Sequence, residues 1–385
     1  MGDTEMPSGA NIAPKKVGQI PSLNGLRAVA VFIVIYAHSE FPGRIAGSMG
    51  VGLFFFLSGY LITTLLRAEF DRFERISLKD FYTRRVLRIL PPMYIVFIGA
   101  LILALVGILP SALSVGGVLS SGTFLANYWT IFNGHTGVPE GTGVLWSLAV
   151  EEHFYLVFPV IYIAMRKWLP NRRHQVVLLV AICVAALIWR CYLTVSGASP
   201  LRLYYATDTR ADAIVWGAIL AIGFNPAFGE VRLPNRRWFA PALVIVSALT
   251  IFAASRFGST FTYSIGFTVQ AVAAFGLFIP LILAPQSWIG RILNWAPVAW
   301  IGVISYTLYL VHQPVFALAK LYLPLPHPIQ ILIGVGVSVL LSWAMLVLVE
   351  RPIGKLRKRL NRAGETENVA TEPERAAPVT HPTST

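Results

Sequence analysis

Residues 328–349 read PIQILIGVGVSVLLSWAMLVLV and contain no Asp, Glu, Lys or Arg. A helix of about 20 mostly apolar residues is long enough to cross the hydrocarbon core of a bilayer. This stretch therefore predicts a helix that spans a membrane.

Apolar stretches of the same kind recur along most of the chain. Read against a window of about 20 residues, the sequence predicts about ten transmembrane helices and hence an all-α, polytopic membrane protein. The predicted spans lie at 22–41, 49–66, 89–109, 143–165, 174–193, 209–225, 239–255, 261–284, 297–318 and 328–349.

The composition supports a membrane protein and excludes a soluble enzyme or a disordered chain. Of 385 residues, 56% are hydrophobic and only 13% are charged, whereas soluble chains carry about 25% charged residues. The mean hydropathy is +0.66. A formal net charge of +13 would suggest a nucleic-acid partner in a soluble protein, but membrane proteins collect Lys and Arg in cytoplasmic loops. We therefore expect membrane lipid around the chain and no nucleic-acid partner.

The distribution of basic residues predicts the orientation of the chain. With the N-terminus inside, 25 of the 31 Lys and Arg residues fall on the inner side, which favours N-in, C-in and an even number of spans. We expect a cytoplasmic segment at 1–20, a membrane domain at 21–355 and a disordered cytoplasmic tail at 356–385. The predicted location is the inner (plasma) membrane.

The first predicted span contains two ionisable residues, Arg27 and His38. Their spacing places both on one face of a helix, about 16 Å apart along its axis. Ionisable residues inside a span are costly and are functional candidates by default. A snorkelling arginine and an interfacial histidine are the structural alternative, but that alternative does not require a shared face.

Three arginines, Arg84, Arg85 and Arg88, lie at the start of the third predicted span. Spacings of three and four residues bring side chains together on a helix, and guanidinium groups suit phosphate oxygens. We predict a phosphate-binding cluster here. The alternative is that these residues serve only the positive-inside topology.

The fourth predicted span contains adjacent carboxylates, Glu151 and Glu152, downstream of Trp146. No Lys or Arg lies beside them in the sequence, so they require a His or Arg from another helix, or a raised pKa. We predict a functional role for the pair, and for Trp146 a place in the lining of the cavity or acceptor site.

Two further groups of polar residues lie in or beside apolar spans. Arg210 and Asp212 are about 200° apart on a helix, so we expect no ion pair between them, and a salt-bridge network at the outer end is the structural alternative. Ser305, Tyr309 and His312 repeat at i, i+4 and i+7, a polar stripe typical of a cavity lining. We predict that all five line the cavity or acceptor site. The chain has no zinc-type Cys/His cluster, and we expect no metal.

Together these motifs resemble the acyltransferase 3 family of integral-membrane O-acyltransferases. The resemblance covers roughly residues 20–355, in the family's usual order. The matching stretches are Arg27 with His38, the run GVGLFFFLSGYLIT ending near Thr63, Arg85 with Arg88, WSLAVEEHFYLVFP, TRADAIVWGAILA, and ISYTLYLVHQP followed by Glu350-Arg351-Pro352.

The resemblance implies transfer of an acyl group, usually acetyl, from cytoplasmic acyl-CoA to a hydroxyl of a glycan, glycolipid or glycosylated metabolite. It implies acyl-CoA as co-substrate and no permanently bound cofactor. It also implies a stand-alone membrane module without the esterase-like domain that some members carry. The family's functional residues correspond to His38 as catalytic histidine, Arg27 as motif arginine, Arg85 and Arg88 as CoA-phosphate ligands, and Glu151 or Glu152 as essential acid.

The residues are chemically suited to this role. His38 could act as a general base on the acceptor hydroxyl or accept the acyl group transiently. Glu151 or Glu152 could fix its tautomer and stabilise its imidazolium form. A membrane transporter that uses Arg27, His38 and Glu151 as a proton or substrate relay is the competing hypothesis. Binding and consumption of acyl-CoA would distinguish the two.

Overall fold

A computed structural model describes residues 21–41 and 45–356 of the chain. The predicted cytoplasmic segment at 1–20, and all but the first residue of the predicted tail at 356–385, lie outside the described residues. Within the described part, extended pairing is limited to one isolated bridge between Leu113 and Gly137. The predicted all-α class is therefore confirmed for this part of the chain.

The described residues form sixteen α-helices. Their bounds are α1 Pro21–His38, α2 Gly47–Phe73, α3 Leu78–Leu105, α4 Val115–Gly122, α5 Ala126–Asn133, α6 Leu145–Trp168, α7 Arg172–Val195, α8 Pro200–Tyr205, α9 Thr207–Arg210, α10 Asp212–Gly223, α11 Phe239–Ala254, α12 Ser259–Phe261, α13 Phe267–Leu283, α14 Trp288–Leu293, α15 Ala296–Tyr322 and α16 His327–Met345. A 3₁₀ turn follows α10 at Pro226–Phe228, and π-helical turns lie at Thr262–Gly266 and Leu346–Glu350.

Seven of the helical segments are long and apolar enough to cross a membrane, so the chain is a multi-pass membrane protein. They are Gly47–Phe73, Leu78–Leu105, Leu145–Trp168, Arg172–Val195, Ser259–Leu283, Ala296–Tyr322 and His327–Leu356. Three shorter apolar helices, Ser22–His38, Asp212–Phe228 and Phe239–Ala254, coincide with the other predicted spans. The count of about ten spans and the N-in, C-in orientation stay predictions.

Helix α3 begins well before the predicted start of the third span at residue 89. The Ser77 hydroxyl accepts a hydrogen bond from the backbone N–H of Asp80 at 3.2 Å, which caps the new N-terminus. The apolar pattern missed this part because the first turns of α3 are polar. Consequently, the three arginines at 84–88 lie inside the helix, one to three turns from its start.

Helix α1 packs between α2 and α15, and α2 also packs against α10. The α2–α10 contact requires glycine on both helices. A Cβ atom at Gly59 would lie 1.8 Å from the Ile214 carbonyl oxygen, and one at Gly217 would lie 2.0 Å from the Phe56 carbonyl oxygen. Such close approach over small residues is typical of helix pairs in membranes. Helix α2 thus packs against α10 on one side and against α1 on another, and α1 in turn packs against α15.

A hydrogen-bond network around Arg67 joins the C-terminal part of α2 to the end of α10. The buried Arg67 guanidinium donates to the carbonyl oxygens of Ala221 and Ile222 at 2.9 and 3.2 Å, and it pairs with Glu230 in the loop after α10. Burial alone would raise the pKa of Glu230, but the hydrogen bond and charge of Arg67 outweigh burial and hold that pKa below its ordinary value. The network fixes the C-terminus of α10 against α2.

Candidate active site

A cavity of about 130 Å³ lies among α1, α2, α3, α6 and α15. Its charged lining residues are Arg27, Arg85, Arg88, Glu151 and Glu350. We call it the arginine cavity. Three guanidinium groups facing two carboxylates leave an excess of hydrogen-bond donors, which suits a polyanionic ligand.

The arginines reach this cavity from two helices. Arg27 comes from the first half of α1, and Arg85 and Arg88 lie one turn apart on α3. The Arg85 guanidinium lies over the ring of Tyr155, with Cζ 5.1 Å from the ring centroid, so α6 also positions it. The structure therefore brings together the first-span arginine and the arginine pair, which the sequence predicted separately.

Arg84 does not join this cluster. Its Nη2 atom forms an ion pair at 2.8 Å with Oε2 of Glu69 near the end of α2, and its side chain is absent from the cavity lining. Residues one position apart on a helix point about 100° apart. Arg84 therefore points away from Arg85, and of the predicted three-arginine cluster only Arg85 and Arg88 line the cavity.

The two adjacent carboxylates have different surroundings. Glu151 lines the arginine cavity, and its Oε2 accepts hydrogen bonds from Ser58 Oγ at 3.0 Å and Tyr155 Oη at 2.6 Å. Glu152 is outside the cavity lining, and its buried Oε1 has no hydrogen-bond partner among the described residues. Of the two carboxylates, Glu151 is thus the one that lines the arginine cavity.

Part of the predicted polar stripe on α15 forms the far wall of the arginine cavity. Ser305 and Tyr309 both line it, as the i, i+4 spacing predicted. The Tyr309 hydroxyl lies 2.6 Å from Ser147 Oγ and also donates to the Val144 carbonyl oxygen at 3.3 Å. Val144 lines a second cavity, which is described below. The hydrogen-bonded residues Tyr309, Ser147 and Val144 therefore form a septum between the two cavities.

His38 lies beyond the septum, paired with a second histidine. Nδ1 of His38 is 3.0 Å from Nε2 of His312. The buried His312 ring also contacts Tyr309, with ring centroids 5.9 Å apart. The third residue of the predicted stripe thus links the septum to His38.

The hydrogen bonds of this pair define its neutral tautomers. Nδ1 of His312 is 3.2 Å from the Leu308 carbonyl oxygen, and a carbonyl can only accept, so Nδ1 of His312 carries the proton. Nε2 of neutral His312 is then an acceptor, and His38 donates to it from Nδ1. Nε2 of His38 is consequently left unprotonated, with a free lone pair.

This arrangement differs from the expected role of the carboxylates. Glu151 or Glu152 was expected to fix the tautomer of His38, but Glu151 bonds to Ser58 and Tyr155, and His312 occupies the orienting position. The partner of His38 is 274 residues away in the sequence. Only the tertiary structure brings the two together.

A second cavity, of about 420 Å³, opens beside His38. We call it the histidine cavity. Its polar lining residues are His38, Ser39, Glu40, His135, Glu140, Tyr205, Gln313, Lys320, His327 and Gln330. This mixture of carboxylate, amide, imidazole and ammonium groups offers both donors and acceptors, which suits a ligand with many hydroxyl groups.

The wall of the histidine cavity is built from α15 and the segment before α6. Gln313 Oε1 accepts a hydrogen bond from the Val144 backbone N–H at 3.1 Å. Lys320 Nζ pairs with Glu40 Oε1 at 2.9 Å, and its hydrogen bond and charge hold the pKa of Glu40 below the ordinary value. Three residues of this lining were missed in the sequence because His135 lies in a loop, His327 is only the first residue of α16, and Gln313 follows a stronger motif.

Trp146, Arg210 and Asp212 lie on the side of this site toward α10. Trp146 lines the histidine cavity, and its ring centroid is 4.8 Å from that of Tyr205. Arg210 and Asp212 do not pair with each other, as predicted, and neither lines the arginine or histidine cavity. Asp212 pairs instead with the fully buried Arg190 of α7 at 3.1 Å.

Sequence comparison gives a match over most of the chain. The family model described as an acyltransferase domain matches residues 20–347. No solved structure matches the chain.

Several curated relatives are similar to the chain. Peptidoglycan O-acetyltransferase OatA of Listeria monocytogenes is 31% identical over 351 residues, which are 87% of this chain and 56% of the relative. Putative peptidoglycan O-acetyltransferase YrhL of Bacillus subtilis is 30% identical over 350 residues, covering 87% and 55%. O-acetyltransferase OatA of Staphylococcus aureus is 29% identical over 315 residues, covering 79% and 51%. The chain thus spans about half the length of these relatives.

Proposed function

The chain belongs to the acyltransferase 3 family, and we propose that it is a membrane O-acyltransferase with acyl-CoA as its donor. The acyl group we propose is acetyl, in keeping with the relatives named O-acetyltransferases. In this proposal the donor enters the arginine cavity, the acceptor hydroxyl enters the histidine cavity, and His38 lies where the two substrates meet.

The charge of the arginine cavity supports acyl-CoA as donor. Coenzyme A carries several phosphate charges and a long, thin pantetheine arm. Arg27, Arg85 and Arg88 offer forked donors for phosphate oxygens. The rest of the lining is largely apolar and ends at Tyr309, next to His312. A phosphate group held at the arginines would direct the arm and its thioester toward the histidine pair.

The single observation that carries the proposal is the His38–His312 pair. In the neutral pair the ring-to-ring hydrogen bond leaves Nε2 of His38 as the acceptor nitrogen, and His38 lines the cavity that is richer in hydrogen-bonding groups. A general base needs a free lone pair within reach of the hydroxyl it deprotonates. His312 provides the orienting hydrogen bond that a carboxylate gives in many other catalytic histidine sites.

The proposed chemistry needs no group other than these residues and the two substrates. In direct transfer, Nε2 of His38 takes the hydroxyl proton as the acceptor oxygen attacks the thioester carbonyl carbon. The new C–O bond forms, the C–S bond breaks, and the departing thiolate of coenzyme A receives the proton from His38. In the relay route, Nε2 attacks the thioester carbonyl carbon, the N–C bond forms as the C–S bond breaks, and coenzyme A leaves as the thiolate. The acceptor oxygen then attacks the acyl-imidazolium carbon, the C–O bond forms as the N–C bond breaks, and the hydroxyl proton passes to the thiolate.

The acceptor we propose is a hydroxyl of a surface glycan, a glycolipid or a glycosylated metabolite. Two of the relatives described above have names that specify peptidoglycan, which supports a carbohydrate acceptor. The mixed donors and acceptors of the histidine cavity also suit a sugar. We further propose an inner-membrane location, about ten spans and the N-in, C-in orientation, so that the arginine cavity receives cytoplasmic acyl-CoA.

The proposal is tested with purified full-length protein in lipid nanodiscs. Acetyl-CoA is supplied with soluble peptidoglycan fragments or other glycans, and release of the coenzyme A thiol is followed together with the mass of the acceptor. We expect thiol release that depends on the acceptor and an acceptor mass increased by one acetyl group. Absence of acetyl-CoA binding, together with uptake of a solute by vesicles that contain the protein, would favour a transporter instead.

A further inference from the structure

Arg210 is buried, lines neither substrate cavity, and is surrounded by aromatic rings. Only 2% of its surface is exposed. Its Cζ atom lies 3.5 Å from the ring centroid of Phe267 and 5.2 Å from that of Tyr204. The rings of Phe55 and Trp146 are also within 6 Å. Attraction to these rings offsets part of the cost of burying a cation, but rings do not replace hydrogen-bond acceptors.

The guanidinium of Arg210 lacks those acceptors. Its buried Nε and Nη1 atoms have no hydrogen-bond partner among the described residues. Of the two carboxylates nearest in sequence, Asp208 pairs with Arg202, and Asp212 accepts from Arg190 at 3.1 Å and from Thr268 at 2.9 Å. This region therefore contains two buried arginines and one buried carboxylate, and the carboxylate pairs only with Arg190. The local charge of the described residues is one unit positive.

A small pocket adjoins the unpaired guanidinium. It is lined by Arg210, Asp212, Gln270, Met49 and Phe267 among others, and it has room for about one particle of water size. Both oxygen atoms of Asp212 already accept hydrogen bonds, from Arg190, Thr268 and the Ala213 backbone N–H. Gln270 is 5% exposed, and its Nε2 atom also has no hydrogen-bond partner among the described residues. Two buried side chains, one of them a cation, thus bring unused N–H donors to one closed pocket.

We propose that this pocket binds a single monatomic anion, chloride in particular, between Arg210 and Gln270. An anion would satisfy the unused donors and cancel the surplus buried charge, whereas a water molecule would leave the charge in place. The pocket is too small for a carboxylate or phosphate ligand. The unbranched side chains of Met49 and Gln270 can move by the small distance that a halide needs beyond water. The site is independent of the donor and acceptor cavities.

The test uses full-length protein in lipid nanodiscs at constant ionic strength, with gluconate replaced stepwise by chloride or bromide. The unfolding temperature and the excess line width of the chlorine NMR signal are measured. We expect the unfolding temperature to rise saturably with either halide, because ligands that bind the folded state stabilise it. We also expect bromide to remove the excess chlorine line width.

Two substitutions of Gln270 distinguish a pocket that binds an anion from one that only packs around Arg210. Gln270→Leu removes one donor and should weaken halide affinity by about tenfold or more, the effect of one hydrogen bond to a charged group. Gln270→Glu places a carboxylate beside Arg210. It should abolish the halide dependence and keep the unfolding temperature high in gluconate.

Arg291→Gln provides the matched control, since Arg291 is an exposed arginine on α14. This variant should respond to chloride as the wild type does. An unfolding temperature of the wild type that is the same in chloride and gluconate would overturn the proposal and indicate a water-filled pocket. An undiminished halide response in Gln270→Glu would overturn it as well.

Discussion

The arginine cavity and the histidine cavity lie on opposite sides of one septum, and they differ in size and chemistry. The arginine cavity has a volume of about 130 Å³ and contains three guanidinium groups. The histidine cavity has a volume of about 420 Å³ and contains imidazole, carboxylate, amide and ammonium groups. One is suited to a thin polyanion and the other to a broad, neutral polyol.

The difference suggests how a membrane enzyme could join substrates from separate compartments. The donor needs charge for binding, and the acceptor needs many weak polar contacts, so one shared cavity would serve both poorly. The septum of Tyr309 and Ser147 lies between the cavities, and in the proposed reaction the thioester has to pass it to reach the His38–His312 pair directly beyond. We therefore expect substitutions to separate into those that affect the donor and those that affect the chemistry.

The largest effect is expected for His38→Ala. Loss of a general base or acyl relay lowers kcat by about 10²- to 10⁴-fold, while the KM for acetyl-CoA should stay within about twofold because the arginines are intact. His153→Ala is the control, since His153 bonds to Thr207 and lines neither cavity. A fully active His38→Ala protein would show that the His38–His312 pair does not carry out the chemical step.

Arg85→Ala and Arg88→Ala should act on donor binding. Each removed charge-assisted contact contributes about 1.5–3 kcal/mol, so we expect the KM for acetyl-CoA to rise roughly tenfold to hundredfold, with the KM for acceptor nearly unchanged. Lys at either position should restore only part of the loss, because it lacks the planar fork.

Arg84→Ala is the matched control for the donor prediction. Arg84 is adjacent in sequence and has the same charge, but it pairs with Glu69 outside the cavity. Its donor KM should change by less than about twofold, as expected for a surface ion pair. Equal effects at Arg84 and Arg85 would mean that general positive charge, and not the cavity, binds the donor.

A smaller effect is expected at His312, which positions His38 without touching substrate in this account. His312→Ala should lower kcat by about tenfold, the contribution of one hydrogen bond to a group that becomes charged. His312→Gln, which retains an acceptor for Nδ1 of His38, should recover part of this activity. A purely structural role predicts loss of folded protein in both variants and no difference in kcat between them.

The smallest effects are expected for the adjacent carboxylates. Glu151→Gln keeps acceptors for Ser58 and Tyr155 but removes the charge that faces the arginines, so kcat/KM should fall by about tenfold. Glu152→Gln should change kcat/KM by less than about twofold, since Glu152 is outside the cavity lining. The reverse ranking would show that Glu152 is the essential acid.

Periodicity and hydropathy were sufficient to predict the helical class and the positions of the apolar helices, because those features depend on local sequence. Shared helix faces also predicted that Ser305 and Tyr309 line one cavity. Contacts between helices could not be predicted in this way. Helix geometry turns Arg84 and Arg85 in different directions, but only the packing of α2 and α6 against α3 shows which of the two meets Glu69 and which meets Tyr155.

The same limit explains two missed pairs. His312 was predicted to line a cavity, but its hydrogen bond to His38 depends on how α1 packs against α15. Arg190 was not singled out in the sequence, yet it is the buried partner of Asp212. Both pairs join residues from different helices, which spacing along a single chain cannot reveal.

The most direct measurement of the central claim is the sidedness of the reaction in proteoliposomes that hold the protein in one orientation. Acetyl-CoA is confined to the side of the arginine cavity, an impermeant glycan acceptor to the side of the histidine cavity, and acetylated glycan is measured by mass. The account predicts acetyl transfer in this arrangement and none when acetyl-CoA is supplied only on the histidine side. Transfer that requires both substrates on the same side would contradict it.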